Sequence, residues 1–200
     1  MNLNKCIRLA SEAQCASILE IYEKFITDTV ITFECKVPSV EEFSERMANI
    51  QKKYPWLVCE FQGNVVGYAY ASQFNERSAY DWSVDFSVYI KPEFQGKNLG
   101  KALYFALLEL LKLQGYNNAY AGVTLPNIKS EGFHKSVGFK EAGVFHNAGF
   151  KFGDWYHVKW FELKIQEYSL KPAKPKTIGE INNTFEFNEV ICKAEQMLNV

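Results

Sequence analysis

The stretch Val88-Tyr89-Ile90-Lys91-Pro92-Glu93-Phe94-Gln95-Gly96-Lys97-Asn98-Leu99-Gly100 ends a strand, turns at a glycine and opens a helix. Such a turn aims several backbone N–H groups and a helix N-terminus at one point, an arrangement that suits a pyrophosphate. An ordinary strand-to-helix turn has the same outline, so the ligand depends on what else is present. Asp85 precedes this stretch and shares the polar side of its strand with Ser83 and Ser87, opposite Val84, Phe86, Val88 and Ile90. Further along, Asn127, Ser130 and His134 fall in one short helical run that closes on Gly138-Phe139. A lone histidine of this kind either titrates usefully near neutral pH or simply packs on its helix. Arg77 offers a planar fork for a carboxylate, or is a surface arginine on a loop.

These residues need positioning elements. Cys6 to Leu9 reads as a strand. Ser11 with Gln14 and Ser39 with Glu42 are capping boxes that open two helices, the first carrying Ile18, Ile21, Tyr22 and Phe25 on one face and the second running to about Lys53. Pro55–Phe61 and Val65–Phe74 flank the turn Gln62-Gly63-Asn64, a hairpin signal. Trp82–Ile90 is the next strand. Leu99–Gln114 is the strongest helix, stopped by Gly115. Asn118–Val123 reads as a strand, Asn127–Val137 as a short helix, and Phe139–Ile165 as two long antiparallel strands. The resulting order predicts an α/β domain of the α+β type, with a mixed, mostly antiparallel central sheet flanked by helices. That domain spans 1–166. Residues 167–200 are read as a C-terminal extension: Lys171-Pro172-Ala173-Lys174-Pro175-Lys176 is a linker, and Glu189–Leu198 a possible last helix.

Composition narrows the classes. The 200 residues carry a formal net charge of −1 and no cluster of Lys and Arg, which argues against a nucleic-acid or anionic-membrane surface. Met1 to Lys5 lack the apolar run of a secretory signal, and Ala102–Leu113 is too short to span a bilayer. Cys6, Cys15, Cys35, Cys59 and Cys192 are scattered, without a CxxC pair or a neighbouring His. That pattern points to reduced thiols in a cytoplasmic protein and to no metal centre.

The ordered motifs resemble one family. Gln95 to Gly100 is similar to the pyrophosphate loop Gln/Arg-x-x-Gly-x-Gly/Ala of GNAT superfamily N-acetyltransferases, with Asn98 where glycine is usual. Asparagine is the next most tolerant residue for positive φ. Asn127 to Phe139 resembles the segment that contacts the pantetheine arm in that superfamily. Phe33-Glu34, Tyr54-Pro55-Trp56-Leu57-Val58, Ala79-Tyr80-Asp81-Trp82-Ser83-Val84 and Gly149-Phe150-Lys151-Phe152-Gly153-Asp154-Trp155 resemble its phosphinothricin-acetyltransferase-like group. The likeness runs from about Ile7 to Leu163. It departs at Asp85, where the group has Glu, at His157, which stands in place of an acid, and at Asp154, where Gly or a basic residue is common.

The resemblance implies a GNAT fold, acetyl-CoA as co-substrate and no metal. It implies transfer of the acetyl group, in a ternary complex, to the amino group of a small amino-acid-like acceptor of the phosphinothricin or methionine sulfoximine type. The cofactor would meet Val88, Tyr89, Ile90, Gln95, Gly96, Lys97, Asn98, Leu99, Gly100, Asn127 and Ser130. Asp85 would be the base, and His134 the acid that protonates the departing thiolate. Phe33, Arg77, Tyr80 and Trp82 would shape the acceptor side. A homodimer is common in such proteins. Two other readings stay open: a protein or peptide N-acetyltransferase on the same fold, and a non-catalytic acyl-CoA sensor motivated by the shortened carboxylate.

Overall fold

The computed structural model describes residues 5–199; the N-terminal segment read as lacking a signal lies mostly outside them. The chain runs β1 (Lys5–Leu9), α1 (Cys15–Asp28), α2 (Val40–Gln51), β2 (Trp56–Phe61), β3 (Asn64–Gln73), β4 (Ser83–Ile90), α3 (Leu99–Gln114), β5 (Asn118–Thr124), α4 (Ile128–Ser136), β6 (Lys140–Lys151), β7 (Asp154–Lys164), α5 (Ile178–Ile181) and α6 (Phe185–Gln196). Seven strands form one sheet in the order β1-β2-β3-β4-β5-β7-β6. Every neighbouring pair is antiparallel except β4 and β5, which run parallel.

Local chemistry sets the elements. Ser39 and Glu42 make the reciprocal cap of α2, with the Glu42 N–H donating to Ser39 Oγ at 3.1 Å and the Ser39 N–H to Glu42 Oε2 at 2.8 Å. Gln62 and Gly63 both take positive φ in the tight turn between β2 and β3, which matches the twist of a two-residue hairpin. Gly115, at φ 98°, ends α3 by donating its N–H to the carbonyls of Leu111 and Lys112.

Each sheet face has its own core. Under α1 and α2 lie Ile18, Ile21, Tyr22, Phe43, Met47, Trp56, Val58 and Tyr68. The opposite face packs Val84, Phe86, Ala119, Ala121 and Phe161 against α3, whose Leu103, Leu107 and Leu110 are wholly buried. Fully burying a side chain of this size contributes about 1.5–3 kcal/mol, so these two layers hold the sheet in place.

The segment beyond residue 166 joins the second core rather than standing apart from it. Ile178, Ile181, Phe187, Val190, Ala194 and Leu198 are buried against the α3 side. The predicted last helix starts earlier than expected, at Phe185, because Thr184 caps it by accepting the Phe187 N–H at 3.2 Å. Gln114, near the C-terminal end of α3, donates to the carbonyls of both Lys53 and Lys176 at 2.7 Å, tying the proline-rich stretch to the domain.

Candidate active site

The centre of the sheet is where the chemistry-bearing residues converge. β4 and β5 pair at Ser83–Asn118, Val84–Ala119 and Asp85–Tyr120, and then part. The edge of β4 that faces the gap follows from strand alternation. The Trp82 carbonyl accepts the Asn118 N–H, so even-numbered residues of β4 point their backbone groups toward β5; the Lys91 N–H donates to Val66 of β3, so odd-numbered ones point the other way. Val88 and Ile90 therefore offer backbone groups to the gap. Tyr89 does not: its backbone faces β3, and its ring packs among Tyr22, Phe25 and Tyr68 on the α1 side. The expectation that Tyr89 meets the cofactor is corrected on this geometry.

The gap opens into a cleft of about 810 Å³ lined by Val88, Ile90, Gln95, Gly96, Asn98, Leu99, Gly100, Asn127 and Ser130. Gly96 (φ 77°) and Asn98 (φ 63°) are both left-handed, so the asparagine holds the backbone shape usually given to glycine. The first N–H groups of α3 have no partner within the helix and point out of its N-terminus toward this cleft. Lys97, between the two left-handed residues, stacks its ammonium over the Phe94 ring at 4.9 Å and is not part of the cleft lining. Phe25, Ile31, Phe94, Lys101, Lys129 and Phe133 also line the cleft and were not singled out from sequence. Phe25 reads there as a core residue of α1, and the loop holding Ile31 has no periodicity to mark it.

Asp85 stands at the point of separation. Its Oδ1 accepts the N–H of Phe86 at 3.0 Å, a donor on the β5-facing edge just past the last paired residues, which draws the carboxylate toward the gap. Burial pushes its pKa up to about 7, and the Phe86 N–H only partly offsets that rise. The same sheet face carries Ser72 and Tyr120, its register partners, and the aromatic group Phe74, Tyr120 and Trp160, with Phe74 stacked on Tyr120 at 4.3 Å. Tyr80 closes this group edge-on to Phe74 at 5.8 Å.

His134 is placed differently from the expectation. It is 4% exposed and lies behind the cleft wall, with Nε2 3.0 Å from Tyr104 Oη and Nδ1 2.8 Å from the Ser130 carbonyl. A carbonyl requires a proton on Nδ1, so Nε2 accepts from the Tyr104 hydroxyl. Burial lowers the pKa of this imidazole, and the bond to Ser130 opposes that shift. Ser130, not His134, reaches the cleft, and its N–H is held at 3.0 Å by the Asn127 side chain that caps α4.

Phe33, expected on the acceptor side, packs so tightly over Gly149 that a Cβ there would stand 2.2 Å from its ring. Lys151, 3% exposed, fixes the same loop by donating to the Thr32 carbonyl at 2.9 Å. Arg77 is exposed at the start of a short 3₁₀ turn. Trp82 does not wall this region: its indole N–H donates to the Ala173 carbonyl at 2.7 Å and holds the linker instead. His157 takes the Asn147 N–H on Nδ1 at 2.9 Å, stabilising the bulge where β6 bends away from β7.

A sheet split at its one parallel junction, with a glycine turn and helix N-terminus beside the split, is the framework of an acyl-CoA-dependent transferase. Residues 7–160 match the model of the acetyltransferase (GNAT) domain family, and the chain belongs to it. It is 33% identical to the phosphinothricin N-acetyltransferase of Streptomyces viridochromogenes over 88% of this chain and 93% of that protein. It is 30% identical to the L-methionine sulfoximine/L-methionine sulfone acetyltransferase of Salmonella typhimurium over 84% of this chain and 98% of that one. The crystal structure of a GNAT superfamily phosphinothricin acetyltransferase from Sinorhizobium meliloti in complex with acetyl-CoA superposes with a TM-score of 0.81, at 33% identity, covering 86% of this chain and 95% of that one. The protein is thus an N-acetyltransferase that uses acetyl-CoA as co-substrate. Among the described residues no group of side chains could hold a metal ion, and no helix is long and apolar enough to cross a membrane.

Proposed function

We propose that this enzyme transfers the acetyl group to the α-amino group of a small amino-acid-like acceptor, of the phosphinothricin or methionine sulfoximine type, by direct attack in a ternary complex. The observation carrying the mechanism is Asp85: a carboxylate with its pKa raised to about 7, set where β4 and β5 part. Above that pH it is an effective base for an incoming ammonium. It takes one proton from the acceptor nitrogen, whose lone pair then forms the new N–C bond at the thioester carbon. The Val88 N–H faces the gap and stabilises the resulting oxyanion. As the C–S bond breaks, the thiolate receives the second proton of the same nitrogen, so charge and protons balance without an acyl-enzyme.

The turn Gln95 to Gly100, including the backbone of Lys97 and Leu99, takes the pyrophosphate, and Asn127 with Ser130 borders the pantetheine arm. His134 acts here as a positioning residue, holding Ser130 and Tyr104 from behind, in place of direct protonation of sulfur. On the acceptor side, Tyr80, Phe74 and Tyr120 border the base and Phe33 closes the loop, while Arg77 holds the acceptor carboxylate. The exposed Phe145, Phe150, Phe152 and Trp155 of the β6–β7 hairpin suit a homodimer, and five free thiols suit a cytoplasmic location.

Acetyl-CoA turnover against a panel of free amino acids, simple amines and peptides tests this reading. Preference for free amino acids, with Arg77→Ala raising KM for them much more than for amines lacking a carboxylate, is the expected result. Preference for peptides would assign a protein acetyltransferase, and binding without turnover an acyl-CoA sensor.

A further inference from the structure

The C-terminal segment lies along the whole length of α3. It is fixed at one end by Gln114 to Lys176 and along the middle by Phe187, Val190 and Ala194. Glu195 Oε1 accepts the N–H of Ile7 at 3.0 Å, and Lys5 donates to the Leu198 carbonyl, so the same segment also covers the edge strand β1. Its far end meets the opposite end of α3: the Asn199 N–H donates to the Lys97 carbonyl at 3.3 Å. Lys97 lies inside the glycine turn, between left-handed Gly96 and Asn98. The family model stops at residue 160, before this segment begins.

The Lys97–Asn98 peptide gives this contact a consequence. In a trans peptide plane the C=O and the following N–H point in opposite directions. Holding the Lys97 carbonyl outward therefore turns the Asn98 N–H the other way, and Asn98 lines the cleft. A Cβ at Gly96 would meet nothing within 4 Å, so no neighbouring atoms pack against that side of the turn. We propose that the C-terminal segment is a strap whose last contact, Asn199 to Lys97, sets the peptide plane that presents the Asn98 N–H to the pyrophosphate of acetyl-CoA. Asn199 is a positioning residue acting through its backbone, and the inference rests on the assignment of Gln95 to Gly100 as the pyrophosphate loop.

Proline has no N–H, so Asn199→Pro removes the donor while also restricting buried Leu198 before it, a side effect the ligand-free melting temperature reports, whereas Asn199→Ala keeps the donor. Asn199→Pro is expected to weaken acetyl-CoA binding by calorimetry, and to raise its KM, about two- to tenfold, the range for one hydrogen bond. The melting temperature without ligand and kcat should stay at wild-type values, and Asn199→Ala should behave as wild type. By linkage, acetyl-CoA should slow hydrogen exchange at the Asn199 amide. Unchanged affinity in Asn199→Pro, or equal losses in the proline and alanine variants, would overturn the strap while leaving the loop assignment intact. Absence of acetyl-CoA binding by the intact protein would overturn both.

Discussion

Asp85 and Tyr120 are the last residues of β4 and β5 to face one another, and the Asp85 carboxylate occupies the first backbone donor beyond them. The proposed base and the split in the sheet thus coincide. The Asp85 carboxylate reaches the N–H of the next residue through a ring one atom smaller than a glutamate would need, and so this side chain is held by its own strand.

That placement predicts a pH profile. The rate with a saturating amino-acid acceptor should rise with an apparent pKa near 7 and then level off, because the base proposed at Asp85 would act as its anion. Asp85→Asn should bind acetyl-CoA normally but lose roughly 10²–10⁴-fold in kcat at pH 7, with a smaller loss at high pH, where the amine arrives deprotonated. Full activity of Asp85→Asn across the pH range would remove the assignment.

The same group should be visible in stability. Its folded pKa lies above the unfolded value, so its contribution is fully present below about pH 4 and is lost as pH rises through about 7. Asp85→Asn cannot ionise. Its melting temperature relative to wild type should therefore be higher at pH 8 than at pH 5, a difference thermal scans at the two values would reveal.

The turn can be tested from both of its special residues. A Cβ at Gly100 would stand 3.1 Å from the Phe133 ring, which itself lines the cleft. Gly100→Val should displace that ring and abolish measurable acetyl-CoA binding by calorimetry. Asn98→Gly, at φ 63°, should bind as well as wild type or better, since only the backbone shape is asked of it.

His134 and Tyr104 form a buried pair whose members should be energetically coupled. Removing either partner strands a buried polar group, at a cost of about 1–3 kcal/mol. His134→Phe and Tyr104→Phe should each destabilise, and the double variant should be more stable than the sum of the singles predicts, as chemical denaturation would measure. A kcat loss on the order of 10²–10⁴-fold in His134→Phe, at unchanged stability, would instead return the imidazole to proton transfer.

Much of the fold was legible because it rests on local rules. Capping boxes, the Gln62-Gly63 turn and the apolar stripe of Leu99–Gln114 need no distant partner to be read, and Asn98 announced its left-handed backbone by residue type. What stayed hidden depends on contacts made across the chain. Trp82 looks like any aromatic beside a strand, yet its partner is Ala173 in the linker. His134 sits in the right motif, but only the ring of Phe133 on one side and Tyr104 on the other show that it lies behind the cleft. Two prolines interrupt regular structure after Lys171, but breaking secondary structure says nothing about whether the following helix docks.

The parting of β4 from β5 also has a mechanical meaning. Four strands on one side and three on the other are joined by a backbone seam only three residue pairs long. In outline the sheet is two plates meeting at that seam, with α3 packed across one side. A ligand that bridges the plates through Val88 and Ile90 acts as a brace. Occupancy of the cleft should thus stiffen strands well away from the reacting atoms, and the empty enzyme should flex about Ser83 to Asp85 before it flexes anywhere else in the sheet.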